Sequence, residues 1–584
     1  MHNLIPHLSM PRRSIWVVFT AALTVLGTGP LTRAAPRSIV NSRHNLSVTG
    51  PGTVKAAVET EICIFCHTPH GATAEAPLWN RLDFGETYDA YNSTTAKALF
   101  GQPTGASKLC LSCHDGTVAL GLVRSRSLPI AFSGGISTLP ASRANLGKDL
   151  SNDHPISFLY DSHLVTDNGE LLSPDTLTGP VKLDRDHLLQ CTSCHNPHDD
   201  QFGDFLVANN TGSALCQVCH AKRNWPTGSH ATSAARWNKT LPNPWPQSVL
   251  PTVAENACAS CHTTHTAESR ERLLNLDGEE NTCYVCHNGN VAAKNIQSVI
   301  SQPGEHRTHP VEIKAGVHDP VENAVNPNRH VECADCHNPH SSSSAVASAP
   351  NVSGALVGVR GIRALDGSVI SPAAYEYEIC FRCHADSIAR GPATLPRQLG
   401  NNNVRLQFAP GNASFHPVET AGRNPTVPSL IRPRWTESSL VYCSDCHNND
   451  RGPGNGLTGP KGPHGSAYAP ILERNLMMAD GQEESLTTYA LCYKCHDRNR
   501  ILSETQTFKY HKKHVVDEKA ACTTCHDSHG VASNKHLINF NTTYVKNSLT
   551  NGPPVYVSSP VLPFTGSCTL MCHDENHNAE SYSP

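Results

Sequence analysis

Methionine is nearly missing from this chain, with five in 584 residues. Charged residues make up only 16%, hydrophobic residues 38% and aromatic residues 6%. So little charge excludes a highly charged disordered chain. So thin an apolar fraction excludes a row of ordinary large cores at this length. Glycine and proline number 40 and 42, too few for a collagen-like or low-complexity protein but enough to favour loops. No cysteine precedes Cys63, so no lipidated cysteine marks a cleavage site. What the chain has in quantity is cysteine, 24 residues, and histidine, 34 residues.

Arg12 and Arg13 precede an apolar run over residues 15–26, and small residues follow as far as Ala34-Ala35. This charged, apolar and cleavable layout predicts a secretory signal over residues 1–35. The run is too short for a membrane span. Met10 is a plausible start, since it sets the arginines beside it; an N-terminal anchor helix is the competing reading, and the fit to a twin-arginine signal is poor. No later run approaches spanning length. The mature protein is therefore expected to be exported, periplasmic or extracellular at the outer surface, with no transmembrane span.

Every cysteine falls in a pair that ends in Cys-His. The pairs are Cys63/Cys66-His67, Cys110/Cys113-His114, Cys191/Cys194-His195, Cys216/Cys219-His220, Cys258/Cys261-His262 and Cys283/Cys286-His287. They continue with Cys333/Cys336-His337, Cys380/Cys383-His384, Cys443/Cys446-His447, Cys492/Cys495-His496 and Cys522/Cys525-His526. These eleven read C-x-x-C-H, and the twelfth, Cys568/Cys572-His573, carries one more residue: C-x-x-x-C-H. Paired cysteines can bind zinc or form a disulfide framework. Neither use requires histidine after every second cysteine. C-x-x-C-H is the attachment signature of c-type haem. Two thiols must reach the two vinyl groups on one edge of a porphyrin, and the next residue must offer an imidazole to the iron. Positions i, i+3 and i+4 of a helical turn share one face and can present all three. Helical readings are clearest at residues 375–384 and 489–496. The expectation is twelve covalent haem c groups, with a bulge at the last site.

The second axial ligand sets the chemistry of each iron. Methionine is excluded by counting. Met1 and Met10 leave with the signal, Met571 lies inside the last motif, and only Met477 and Met478 remain. Histidine is ample. Five lie three residues past a motif histidine: His70, His198, His265, His340 and His529. His154, His309 and His416 each precede proline, which favours extended backbone and a side chain projecting from a loop. His464 sits in a glycine-rich loop, His44 leads into the first motif, and His230 and His514 precede the fifth and eleventh. The motifs group into six pairs, and each pair owns two candidates: His44 and His70, His154 and His198, His230 and His265, His309 and His340, His416 and His464, His514 and His529. His511 is an almost equal rival to His514. His163, His187, His306, His318, His330, His536 and His577 are read as structural or surface residues.

Spacings from first cysteine to first cysteine within the pairs are 47, 25, 25, 47, 49 and 46 residues. The pairs divide the chain at 36–125, 126–225, 226–300, 301–400, 401–500 and 501–584, as repeats and not as independent domains. Residues 341–350 read as a linker, and residues 357–370 as a hairpin turning at Asp366-Gly367. About 46 mature residues per motif cannot wrap each cofactor in its own shell. The expected fold is therefore mostly irregular and loop-rich, with short α-helices and a few β-hairpins, elongated around a continuous haem column. Loss of Arg12, Arg13 and Arg33 takes the formal charge from −4 to −7, and haem propionates would lower it further. Such a surface disfavours nucleic acid and favours cationic partners, metal ions or mineral surfaces.

The runs CHTPH, CHNPH and CHDSH, the HPI and HPV steps, GPHGS and the closing C-x-x-x-C-H resemble bacterial multihaem c-type cytochromes with doubled C-x-x-C-H motifs. The resemblance covers essentially the whole mature chain. It implies bis-histidine haems in alternating stacked and T-shaped contact, at low potentials. It also implies redox partner proteins or extracellular metal or mineral acceptors, and it admits a homopolymer filament. The fifth pair departs from the pattern: no histidine stands three residues past His447, so His464 must serve from the long loop. The leading function is a non-catalytic electron carrier. The alternative is a multihaem oxidoreductase of the nitrite or hydroxylamine type, which needs one open iron. In such reductases that iron often has lysine in place of the motif histidine, and no motif here has that change.

Overall fold

The computed structural model describes residues 38–583 apart from 73–75, 77, 83–84, 303–306, 313–318, 320–321, 324–329 and 389. The segment read as an export signal, and His306 and His318, lie outside the described residues. The chain is loop-rich, with short helices and small antiparallel sheets. Among the described residues no helix is long and apolar enough to cross a membrane.

Among the described residues three helices reach nine or ten residues: α1 (Gly105–His114), α2 (Glu279–His287) and α3 (Glu376–His384). Each carries a motif and ends on its histidine. The other C-x-x-C-H motifs take a single turn of α or 3₁₀ helix. In these the histidine N–H donates to the carbonyl of the first cysteine, at 2.8 Å in His67–Cys63 and 3.0 Å in His526–Cys522. Several turns cap themselves through the residue before the second cysteine. Asp335 Oδ2 accepts from the Glu332 N–H at 2.8 Å, Asp445 Oδ2 from the Tyr442 N–H at 2.8 Å, and Ser193 Oγ from the Gln190 N–H at 3.1 Å. A side chain there satisfies a donor that so short a helix leaves unpaired.

The strands are brief. β1 (Phe158–Leu159) pairs with β2 (Leu188–Leu189), β3 (Arg307–Thr308) with β7 (Gly465–Ser466), β4 (Gly361–Ile362) with β5 (Val369–Ile370), and β6 (Ser414–Phe415) with β8 (Gly530–Val531), all antiparallel. β9 (Val555–Ser558), β10 (Gly566–Cys572) and β11 (Glu575–Tyr582) make a three-stranded sheet with β10 in the middle. β4 and β5 are the hairpin expected at Asp366-Gly367, where Gly367 supplies φ 74°. Residues 341–350 do not behave as a free linker. Ser341 is buried and donates to Arg223 O at 3.1 Å, and Ser342 O accepts from the Ser229 N–H at 2.7 Å.

Apolar burial is divided into small clusters. The largest holds seven buried side chains, among them Tyr377 and Phe381 of α3 with Phe408 and Phe415. Another packs Phe540, Val545 and Leu570 against Cys525, Cys568 and Cys572. The motif cysteines thus lie at the edges of the apolar clusters, where a cofactor ring could extend them.

Candidate cofactor sites along the chain

One continuous cavity of about 5300 Å³ runs between the motifs, lined by all 24 cysteines and all twelve motif histidines. Spread over twelve motifs this is about 440 Å³ each, inside the range of roughly 300–1,000 Å³ that cofactor-sized ligands occupy.

Within the cavity, histidine rings face each other at a repeated separation. The ring centres are 6.0 Å apart for His67–His198, 6.2 Å for His195–His265, 6.2 Å for His262–His340, 6.0 Å for His337–His464 and 6.2 Å for His447–His529. They are 6.1 Å apart for His44–His114, 6.3 Å for His154–His220, 6.2 Å for His230–His287, 6.3 Å for His309–His384 and 6.3 Å for His511–His526. Two imidazoles on opposite sides of one metal, each bonded at about 2.0 Å with its ring centre roughly 1.1 Å further back, stand about 6.2 Å apart. Rings in direct stacking contact are closer: His44 and Phe205 are 4.0 Å apart. The donor set, the spacing and the cavity all fit covalently attached haem.

Residues 250–413 match the family described as outer membrane cytochrome MtrC/MtrF-like, domains II/IV, and residues 183–224 match the doubled CXXCH motif. The multiheme cytochrome MtrA of Shewanella baltica (strain OS185) is 25% identical over 217 residues, which is 35% of this chain and 44% of that protein. The chain therefore matches somewhat under half the length of this curated relative. The chain is a multihaem c-type cytochrome.

The cytochrome prepares many of its histidines in one way. Nδ1 of His114 lies 2.6 Å from Ala144 O, that of His195 2.8 Å from Asp204 O, that of His262 2.8 Å from Arg272 O and that of His337 2.9 Å from Ala355 O. A carbonyl oxygen only accepts, so Nδ1 carries the proton and Nε2 keeps its lone pair for a metal. Burial favours the same neutral ring. It pushes His220, His287 and His384 down to about 4, and His340 and His464 to about 3, with neighbouring histidines adding to the effect. A neutral imidazole is the form that ligates.

The cytochrome's cysteines connect its motifs in sequence order. Between pairs, the first cysteines touch: Cys110 with Cys191, Cys216 with Cys258, Cys283 with Cys333, Cys380 with Cys443 and Cys492 with Cys522. Within pairs, the second cysteine of the leading motif lies near the trailing motif. Cys66 feels Cys113, Cys194 feels Cys219, and Cys525 feels both Cys568 and Cys572. Burial is the larger cause of the shifts at Cys66, Cys194 and Cys525 and pushes the Cys66 thiol up to about 12.

Several expectations are revised. The facing histidine ring lies in the candidate's own pair for only half of the ligand candidates. His44, His154, His230 and His309 do face the second motif of their own pair. His416 neighbours His496, whose pKa burial and His416 together hold at about 4. But His198, His265, His340, His464 and His529 cross over to the first motif of the preceding pair. His70 is exposed and lies outside the cavity lining; the ring opposite His67 is that of His198. His511, the rival of His514, faces His526, while His514 faces a different ring. His514 faces His577, a residue read as structural, at 6.2 Å, while His573 turns to Asp480.

The crossover has a physical basis that the spacing in the sequence does not display. In each of the first five pairs the residue before a crossing histidine holds the other facing histidine. His44 Nδ1 lies 3.1 Å from Pro197 O, His230 Nδ1 2.9 Å from Pro339 O, His309 Nδ1 2.8 Å from Pro463 O and His416 Nδ1 2.6 Å from Ser528 O. His154 makes the backbone version, its N–H donating to Thr264 O at 2.8 Å. The β3–β7 and β6–β8 ladders end beside these same histidines, with Thr308 opposite Gly465 and Phe415 opposite Gly530. One short segment of each pair thus closes both sites of the pair before it.

Proposed function

We propose that the cytochrome binds twelve haems, each between two imidazoles, and carries electrons along them from one end of the chain to the other. The observation that carries this is the unbroken order of cysteine contacts from Cys66 to Cys572, alternating within and between pairs. Haem iron bound in these sites supplies a one-electron Fe(III)/Fe(II) couple. The cysteines fix the position of each porphyrin edge, and tunnelling between edges weakens steeply with distance, so close motifs make a path. The facing histidines would hold the iron from both sides and so keep substrates from it. Their Nδ1–H donation raises imidazole basicity and favours the ferric state. His67 and His198 are exposed, so the series opens to solvent at its first site, where a partner could exchange electrons. Export and an acceptor outside the cell, whether a redox protein or a metal-bearing surface, follow from the N-terminal segment, the acidic charge and the likeness to outer membrane cytochromes.

The test is the intact exported protein. Its mass and haem content should give twelve haems, its ferric spectrum should be wholly low-spin, and it should ignore nitrite, hydroxylamine and cyanide. A high-spin iron that binds any of these would replace the carrier with an enzyme. Fewer haems would shorten the path.

A further inference from the structure

We infer that the iron at the last motif is held by His514 and His577, and that His573, which follows the second cysteine, is not a ligand. This rests on the twelve-site reading and refines its last member.

The extra residue in C-x-x-x-C-H lets a strand, and not a helical turn alone, present the two thiols on one face. In a helical turn, i and i+3 share a face; in a strand they lie on opposite faces, whereas i and i+4 share one. Cys568 and Cys572 lie in β10, and with Leu570 between them they occupy one face, packed against Phe540 and Val545. The next residue cannot continue on that face. His573 and Asp574 form the turn into β11, with φ 51° and 61°, the left-handed pair of a two-residue hairpin turn. Directly opposed residues of an antiparallel pair project to the same side. Leu570 is paired with His577, so His577 stands on the face that carries both sulfurs.

The imidazoles agree. His514 and His577 are 6.2 Å apart, the separation found at the other facing pairs. His514 Nδ1 lies 2.8 Å from Tyr510 O, which leaves its Nε2 to the metal side as elsewhere. His573 is prepared in the opposite sense. Its Nε2 lies 3.0 Å from Oδ2 of Asp480, a nearly buried carboxylate. Oδ1 of Asp480 accepts from the Ala521 N–H at 2.8 Å and from the Thr524 hydroxyl. A carboxylate only accepts, so Nε2 of His573 carries a proton and has no lone pair to offer. Through Asp480, His573 is a positioning residue that ties the hairpin turn to the approach of the eleventh motif.

The experiment compares His577→Ala, His577→Met and His573→Ala in the holoprotein, by haem count from intact mass, ferric EPR and a redox titration. H577A should keep its haems and turn one iron in twelve high-spin and open to cyanide. H577M should stay low-spin and move about one twelfth of the absorbance change to a higher potential, as methionine ligation does. All irons staying low-spin in H577A, or unchanged potentials in H577M, would overturn the assignment, as would H573A producing the open iron. A wild-type protein with an open iron or fewer than twelve haems fails the underlying twelve-site reading instead, before any variant is made.

Discussion

The first five motif pairs and the sixth solve the same problem by different means. In pairs one to five, the facing imidazoles come from two places, one ahead of the pair and one from the pair that follows. The sixth pair draws on one side only. His511 and His514 both come from the segment just ahead of it, and a β-hairpin replaces the last helical turn. The comparison teaches that the repeat unit of the fold is not a motif pair. It is a pair plus the x-His segment that begins the next one.

The ring angles follow the same division. Histidines that cross between pairs lie near parallel to their partners at three sites, 16° at His67–His198, 8° at His262–His340 and 15° at His337–His464. His195–His265 and His447–His529 open to 34° and 52°. Those from within the pair stand steeply, at 67°, 84°, 76° and 63°. The sixth pair is intermediate at both sites, 37° and 34°. Ligand planes govern the splitting of the iron d orbitals. Ferric EPR should therefore resolve two main low-spin populations, a rhombic one from near-parallel rings and a large-g one from steep rings. A single uniform signal would erase the distinction between crossing and local ligands.

Removing a crossing histidine is the next largest effect. His529→Ala should open the iron at His447, in the fifth pair, although His529 sits three residues after the motif histidine of the sixth. About one iron in twelve becomes high-spin. Adding Cys443→Ala and Cys446→Ala should abolish that signal, whereas Cys522→Ala with Cys525→Ala should leave it. The reverse dependence would return His529 to its own pair.

The ladder that brings His529 across offers a milder break. A Cβ on Gly530 would lie 2.1 Å from Gln407 O and 2.9 Å from the Phe415 Cβ, so the strands there can approach only over glycine. Gly530→Ala should cost about 1–3 kcal/mol in denaturant unfolding of the holoprotein. A change inside about 0.5 kcal/mol would mean that the β6–β8 ladder does not set the crossover.

Much of this was readable in the residues. The cysteine arithmetic fixes the motifs, and the scarcity of apolar residues anticipates a loop-rich chain with small clusters. Eleven of the twelve non-motif histidines expected as ligands line the cavity, His70 excepted. What sequence spacing does not reveal is which motif each one meets. That is decided by contacts of a histidine ring with a backbone carbonyl over a hundred residues away, such as His309 Nδ1 with Pro463 O and His416 Nδ1 with Ser528 O. The last site differs for a local reason. The i, i+4 spacing of Cys568 and Cys572 suits a strand face as well as a helical one, so spacing alone does not point to the hairpin that brings His577 to the sulfurs.

His70 gives the smallest effect and the sharpest control on the rule. It occupies the same place after its motif as His198, His265, His340 and His529, and sequence alone cannot separate it from them. Each of those four reaches back to the leading motif of the pair before it. His70 lies outside the cavity lining and the ring opposite His67 is that of His198, so the crossover geometry gives His70 no facing ring among the described residues. The residue is exposed, and its carbonyl accepts from the Thr68 hydroxyl at 2.7 Å, a backbone contact that does not need the ring. His70→Ala should leave the ferric spectrum, the haem count and the cyanide response unchanged and should shift stability by no more than about 0.5 kcal/mol. An open iron in H70A, set beside a silent H198A, would show that position after the motif, and not the order of pairs, selects the ligand.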